Sequence, residues 1–130
     1  MPPTPPVTQV LLLDDDPSSA GTLGVLLAES ELEVEPAASP AEALGILRAS
    51  QARTLVLLNL HAQAAAGPRF METLAEDVAL RARCAVVDIV RALGHGEALP
   101  ARAADRVIER PLTPADLVGL IREYLGWSRG

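Results

Sequence analysis

Thr54-Leu55-Val56-Leu57-Leu58-Asn59 is an unbroken apolar run closed by one amide. A run this short, and this rich in aliphatic and β-branched side chains, predicts a strand buried on both faces. Such strands belong to parallel sheets, where ligands and chemistry gather just past the carboxyl ends. Asn59 stands at such an end. What the chain does therefore turns on what an amide can do there.

Working outward, Val10-Leu11-Leu12-Leu13 reads as a second all-apolar strand that runs into Asp14-Asp15-Asp16-Pro17. Asp16 can cap the next helix, with Pro17 at its first position, where a missing N–H costs nothing. Ala20, Leu23, Leu27 and Ser30 follow helical spacing. Leu32-Glu33-Val34-Glu35 alternates, as a half-exposed edge strand does. Ser39-Pro40-Ala41-Glu42 is a capping box that opens a helix with Ala43, Leu44 and Leu47 on one face. Past the central strand, residues 60–67 read as a loop, and Pro68 starts a helix carrying Phe70, Leu74 and Val78. Residues 85–90 form a fourth strand. A glycine-punctuated stretch, Arg91-Ala92-Leu93-Gly94-His95-Gly96, follows. Residues 97–104 have helical composition, but Pro100 makes that helix short or distorted. Arg106-Val107-Ile108-Glu109 is a fifth strand. Thr113-Pro114-Ala115-Asp116 caps a last helix, which buries Leu117, Leu120, Ile121 and Leu125 and ends at Gly126.

Five strands alternating with five helices predict an α/β three-layer sandwich of flavodoxin type. Its parallel sheet takes the order 2-1-3-4-5. One domain spans residues 8–127, between a proline-rich tail at 1–7 and a short tail at 128–130. At 130 residues with 49% apolar content the chain supports one real core. Net charge −6 argues against nucleic acid as a partner, and Phe70, Tyr124 and Trp127 are too few aromatics for a base-stacking platform. No apolar run is long enough to span a bilayer, no signal-peptide pattern opens the chain, and Cys84 alone forms no internal disulfide. These features predict a cytoplasmic protein with no membrane partner.

In that strand order the ends of strands one, three, four and five converge. They carry Asp14 and Asp15, Asn59, Val90, and Arg110-Pro111. With Gly67 eight residues after Asn59, the Ala-Ala-Asp before strand five, and Leu112 after Pro111, the pattern resembles the receiver domain of bacterial two-component response regulators, the CheY-like family. The resemblance covers nearly the whole chain after the tail. It implies phosphoryl transfer from a partner histidine kinase to an aspartate at the end of strand three. By the same resemblance, Asp14 and Asp15 match the acidic pair that holds Mg²⁺. Asn59 stands where the phosphoacceptor aspartate belongs, Val90 where a Thr or Ser hydroxyl meets the phosphoryl group, and Arg110 where a Lys pairs with it. Val107 falls where an aromatic often acts as the rotameric switch. The bond before Pro111 is often cis in the family.

The departures have chemical weight. A neutral amide oxygen is a far weaker nucleophile than a carboxylate, so Asn59 is no ordinary acceptor. Val90 has no hydroxyl to donate. Arg110 keeps the positive charge on a bulkier fork. Every basic residue is Arg, so that change reads as compositional bias. With one of three acids missing, Asp14 and Asp15 hold Mg²⁺ weakly at best, and no other cofactor is expected. The favoured reading is that they pair with Arg110 and accept bonds from the Asn59 amide.

The expectation is a non-enzymatic pseudo-receiver that binds one or more protein partners. The contact face would lie around Val107 and the helices flanking strand five; a homodimer is left open. Two alternatives stand beside it. One is a phosphorylatable receiver using Asp88, a carboxylate unexpectedly placed inside strand four, where it needs a partner, a raised pKa or a bend that exposes it. The other is a flavodoxin-like small-molecule binder, disfavoured because the loops lack phosphate-gripping residues and aromatic cover. His61 and His95 read as solvated loop histidines, without metal-ligand spacing. Cys84 reads as a small buried apolar group. Trp127 either anchors a partner or covers the last helix end.

Overall fold

The two apolar runs form the centre of a five-stranded sheet. The computed structural model describes residues 7–60, 66–90, 106–109 and 114–126; the side chains at 18–20, 66, 90, 106–109 and 114 are outside that description. In chain order the elements are β1 (Gln9–Asp14), α1 (Pro17–Glu29), β2 (Glu35–Ala37), α2 (Pro40–Arg48) and β3 (Thr54–Asn59). Then come α3 (Ala66–Glu76), α4 (Val78–Ala82), β4 (Cys84–Val90), β5 (Arg106–Glu109) and α5 (Pro114–Leu125). The sheet order is β2-β1-β3-β4-β5, and every pairing is parallel. The predicted order and fold class are those observed.

All six residues of β3 are buried, and so are five of the six in β1. Their side chains alternate between two apolar clusters. Leu11, Leu13, Val56, Leu58 and Val86 pack with Leu44 and Leu47 of α2 and with Phe70 and Leu74 of α3. Val10, Leu12, Leu55, Leu57 and Val87 pack with Leu27 of α1 and with Leu117, Leu120 and Ile121 of α5. The sheet is thus covered on both faces, as a parallel sheet requires. Each fully buried Leu stabilises the fold by roughly 1.5–3 kcal/mol relative to an exposed one.

Helix α2 starts where its sequence says. Ser39 Oγ accepts the Glu42 N–H at 3.2 Å, with Pro40 at the first position. The return bond of the box is shifted by one residue: Glu42 Oε2 accepts from Ala38 N–H at 3.4 Å.

Two elements differ from expectation. The edge strand is Glu35–Ala37, not the alternating stretch at 32–35. The cause lies at the end of α1. Leu32 N–H bonds Leu27 C=O at 2.9 Å and Glu31 N–H bonds Ala28 C=O at 3.0 Å, with Glu31 at φ 63°. This is a Schellman ending, and its apolar seal is Leu32 against Leu27, both buried. Leu32 therefore serves the helix end and cannot alternate in a strand. Pro36, which has no N–H to give a ladder, sits in this edge strand, where such a loss is tolerated.

The helix expected from Pro68 through Val78 is instead two. Helix α3 starts two residues before Pro68, which sits in the first turn, where no N–H bond is lost. Asp77 then takes an extended conformation, and its side chain accepts the Leu80 N–H at 3.1 Å, capping α4. Val78 opens α4 and is 78% exposed, so it does not share a buried face with Phe70 and Leu74. Helix α5 buries Leu117, Leu120 and Ile121, leaves Leu125 half-buried, and ends at Gly126 with φ 80°. The proline-rich stretch 1–6, the loop at 61–65, the predicted helix at 97–104 and Trp127 lie outside the described residues. No helix among the described residues is long and apolar enough to cross a membrane.

Glu31 is exposed and is held in a left-handed conformation that an L side chain resists. Glu31→Gly is expected to raise unfolding stability by about 0.5–1 kcal/mol, read as a higher urea midpoint at unchanged slope. Leu57→Ala, in the doubly covered strand, is expected to lower it by about 2–5 kcal/mol in the same titration.

Candidate functional site

The site begins with register. In the β1–β3 ladder Asp14 is the partner of Asn59, so the two residues meet at the carboxyl end of the central strands. Both are buried, at 2% and 1% exposure. Asn59 Nδ2 donates to Asp14 Oδ2 at 2.9 Å. An ionised carboxylate only accepts, so the amide must present its nitrogen. The other carboxylate oxygen, Oδ1, accepts the backbone N–H of Asp16 at 2.9 Å. This local turn fixes the Asp14 side chain and bends the chain toward α1. Each oxygen of Asp14 thus has a donor, which is how a buried carboxylate remains tolerable.

Asp15 and Asp16 are half-buried beside this pair. Asp14 and Asp15 also line a shallow cleft of about 270 Å³ with Pro17, Pro36, Ala37, Ala38 and Glu42. The cleft opens on the β2 side of the acidic pair. Sequence reasoning read Glu42 only as a helix cap, and no motif signalled its place in the cleft wall. Asp16, read as a cap, contributes its backbone N–H to Asp14.

Magnesium asks for near-octahedral oxygen coordination. The described residues offer the Asp14 and Asp15 carboxylates and the Asn59 carbonyl, and both Asp14 oxygens already accept hydrogen bonds. Among the described residues no three His, Cys, Asp or Glu side chains are placed to hold a metal together. At Asp14 and Asn59 themselves the donors are one carboxylate and one neutral amide oxygen, a weaker set for such an ion than paired carboxylates.

Val90 ends β4, opposite Glu109 of β5, and Val107 lies within β5, opposite Asp88. Arg110 and Pro111 follow β5 and lie outside the described residues, as do His61 and His95. Cys84 is buried at the start of β4. Asp88 is half-buried between Leu58 of β3 and Val107 of β5, and it is not an isolated carboxylate. Strand alternation puts it on the face of Cys84 and Val86. Asp14 and Asn59 follow Leu12 and Leu57 by two residues, on the opposite face. The structure therefore joins Asp14 to Asn59 and sets Asp88 apart from them.

No protein-family model matches the chain, and no curated protein matches it. Solved structures do. A CheY-like response regulator receiver domain protein from Methanospirillum hungatei superposes with a TM-score of 0.77 at 17% identity, covering 93% of this chain and 96% of that one. The receiver domain of a sensor histidine kinase from Pseudomonas aeruginosa, which has a magnesium ion coordinated in its active-site cleft, gives 0.75 at 14% identity, over 92% and 98%. A response regulator receiver domain protein from Clostridium thermocellum gives 0.71 at 18%, over 95% and 98%. The chain has the CheY-like receiver fold.

The Asp14–Asn59 bond makes a sharp prediction. Asn59→Asp sets a second carboxylate against Asp14 at hydrogen-bond distance. Without divalent cations the variant is expected to lose at least about 1–3 kcal/mol of stability. Millimolar Mg²⁺ should restore much of that loss in the variant and change the parent chain little. Equal melting temperatures for both proteins in a chelating buffer would contradict this account.

Proposed function

We propose that the chain is a receiver-type signalling module that works through protein contacts rather than through aspartyl phosphorylation. The fold it shares with response-regulator receiver domains supports a place in two-component signalling. The observation that carries the finer reading is the Asn59 amide, which donates to Asp14. A side chain that gives its N–H to a neighbouring carboxylate replaces an anion that would attack phosphorus. The amide supplies the positive end that a bound cation would otherwise bring to the acidic pair, so Asp14 and Asp15 hold Mg²⁺ weakly at best.

The second departure reinforces the first. Val90 ends β4 with a side chain that can neither donate to a phosphoryl group nor make the inward hydroxyl move expected of a phosphorylated receiver. The partner is a separate protein or a further domain. It docks on the side of the sheet around Val107 of β5 and α5. The chain performs no catalysis of its own.

Incubation with acetyl phosphate and Mg²⁺, followed by intact-mass measurement, is expected to leave the mass unchanged. Beryllofluoride should leave the Trp127 and Tyr124 fluorescence unchanged. A stoichiometric phosphoryl adduct would overturn the reading. Asn59→Asp alone is expected to accept a phosphoryl group without the full conformational response, and Asn59→Asp with Val90→Thr to respond more fully. A normal response from the single variant would refute the role given to Val90.

A further inference from the structure

The end of the sheet opposite the acidic pair carries a charge pattern that the proposed function does not use. Helices and strands exchange direction there, at the amino ends of the strands. From the last residue of α1 to the first of β2 run Glu29, Glu31, Glu33 and Glu35, four carboxylates in seven residues, all exposed, with one cation among them where Arg122 Nη2 donates to Ser30 O at 3.3 Å. Glu33 and Glu35 line a groove with Thr8, Gln9 and Val10, which fixes this acidic run beside the start of β1.

On the far side of β1 the same rim is basic. Arg48 is exposed, and Arg53, Arg81 and Arg83 are half-buried. The backbone gathers them. Thr8 and Gln9 N–H groups bond Arg53 C=O at 2.9 and 3.2 Å, and Thr54 N–H bonds Arg83 C=O at 2.9 Å. Two guanidinium groups are anchored by main-chain carbonyls: Arg83 Nη1 donates to Ser50 O at 2.7 Å, and Arg81 Nη1 to Cys84 O at 2.8 Å. Arg53 buries its Nε without a hydrogen-bond partner, an unrecovered desolvation cost. Asp77, just before α4, turns its side chain to cap that helix.

Three strand spacings separate β2 from β4, about 14 Å. We propose that this rim pairs the chain with a second copy of itself. A two-fold axis between the patches, near Gln9 and Ser50, lays the acidic run of each copy on the basic cluster of the other. The contact is isologous and closes at two. The anchored guanidiniums lose little freedom on pairing, which favours them as donors. The central residues are small and polar, so the dimer is weak and rests on charge. Net charge −6 opposes approach at very low salt. At about 0.1 M the screening length of about 10 Å suppresses that long-range term and leaves the close pairs.

Sedimentation equilibrium of the intact chain at sub-millimolar concentration tests this. At about 0.1 M salt a monomer–dimer equilibrium is expected. At about 1 M, where the screening length is about 3 Å, association should weaken by about tenfold or more. Arg48→Glu and Glu33→Arg, both at exposed positions, should each weaken the homodimer. Mixed one to one, they should form a heterodimer, because both contacts are then opposite-signed again. Circular dichroism checks that both variants fold. A monomer at every salt concentration, a dimer indifferent to both reversals, or a mixture that fails to pair would overturn the proposal. None of these outcomes bears on the state of Asn59, which the phosphorylation experiment tests separately.

Discussion

One buried hydrogen bond, from the Asn59 amide to the Asp14 carboxylate, closes the carboxyl end of this sheet. Asn59 and Asp14 close the two central strands, buried and side by side. Two carboxylates at that separation need a proton or a cation between them. An amide and a carboxylate need neither. A neutral amide at this position offers no anionic oxygen as a nucleophile and leaves no like-charge pair with Asp14 for a cation to bridge. The rest of the pocket follows from it. Asp14 is satisfied on both oxygens by groups of its own chain, which fixes the pocket end of β1.

The scaffold that holds this bond is simple to account for. Parallel strands covered on both faces can afford only apolar side chains along their length. Polar residues are confined to the ends, where Asp14 and Asn59 stand. Asp88 is the exception inside a strand, and it is half-buried rather than enclosed. Helices α1 and α5 cover one face of the sheet and α2 and α3 the other.

How much of this could be read from residues depended on how local each cause was. The runs Leu11–Leu13 and Leu55–Leu58 admit one interpretation, because continuous apolar strands need two covered faces. Ser39 through Glu42 carries its own start signal. The alternation of elements gave a parallel sheet, and the half-exposed character of the second strand set it at an edge, which suits the order 2-1-3-4-5. The edge strand was misplaced because Leu32 alternates correctly but is claimed by the end of α1, a competition visible only once Glu31 is seen at positive φ. Val78 was assigned to the wrong helix because Asp77, a residue with ordinary helical neighbours, turns out to cap a new one. At the site, the identity of Asn59 was legible. Its partner was only one of several acids until the register fixed Asp14.

Strand β2 has a consequence for the protein's behaviour at high concentration. An outer strand with free main-chain groups is a place where unrelated chains can add on and grow. Here that strand is three residues long, is entered past a run of glutamates, and holds a proline at its middle. A stray β-segment arriving there finds a missing donor, like charge and almost no length to grip. The sheet is therefore guarded against runaway stacking on its β2 side, while the folded molecule keeps its other surfaces available for specific contact.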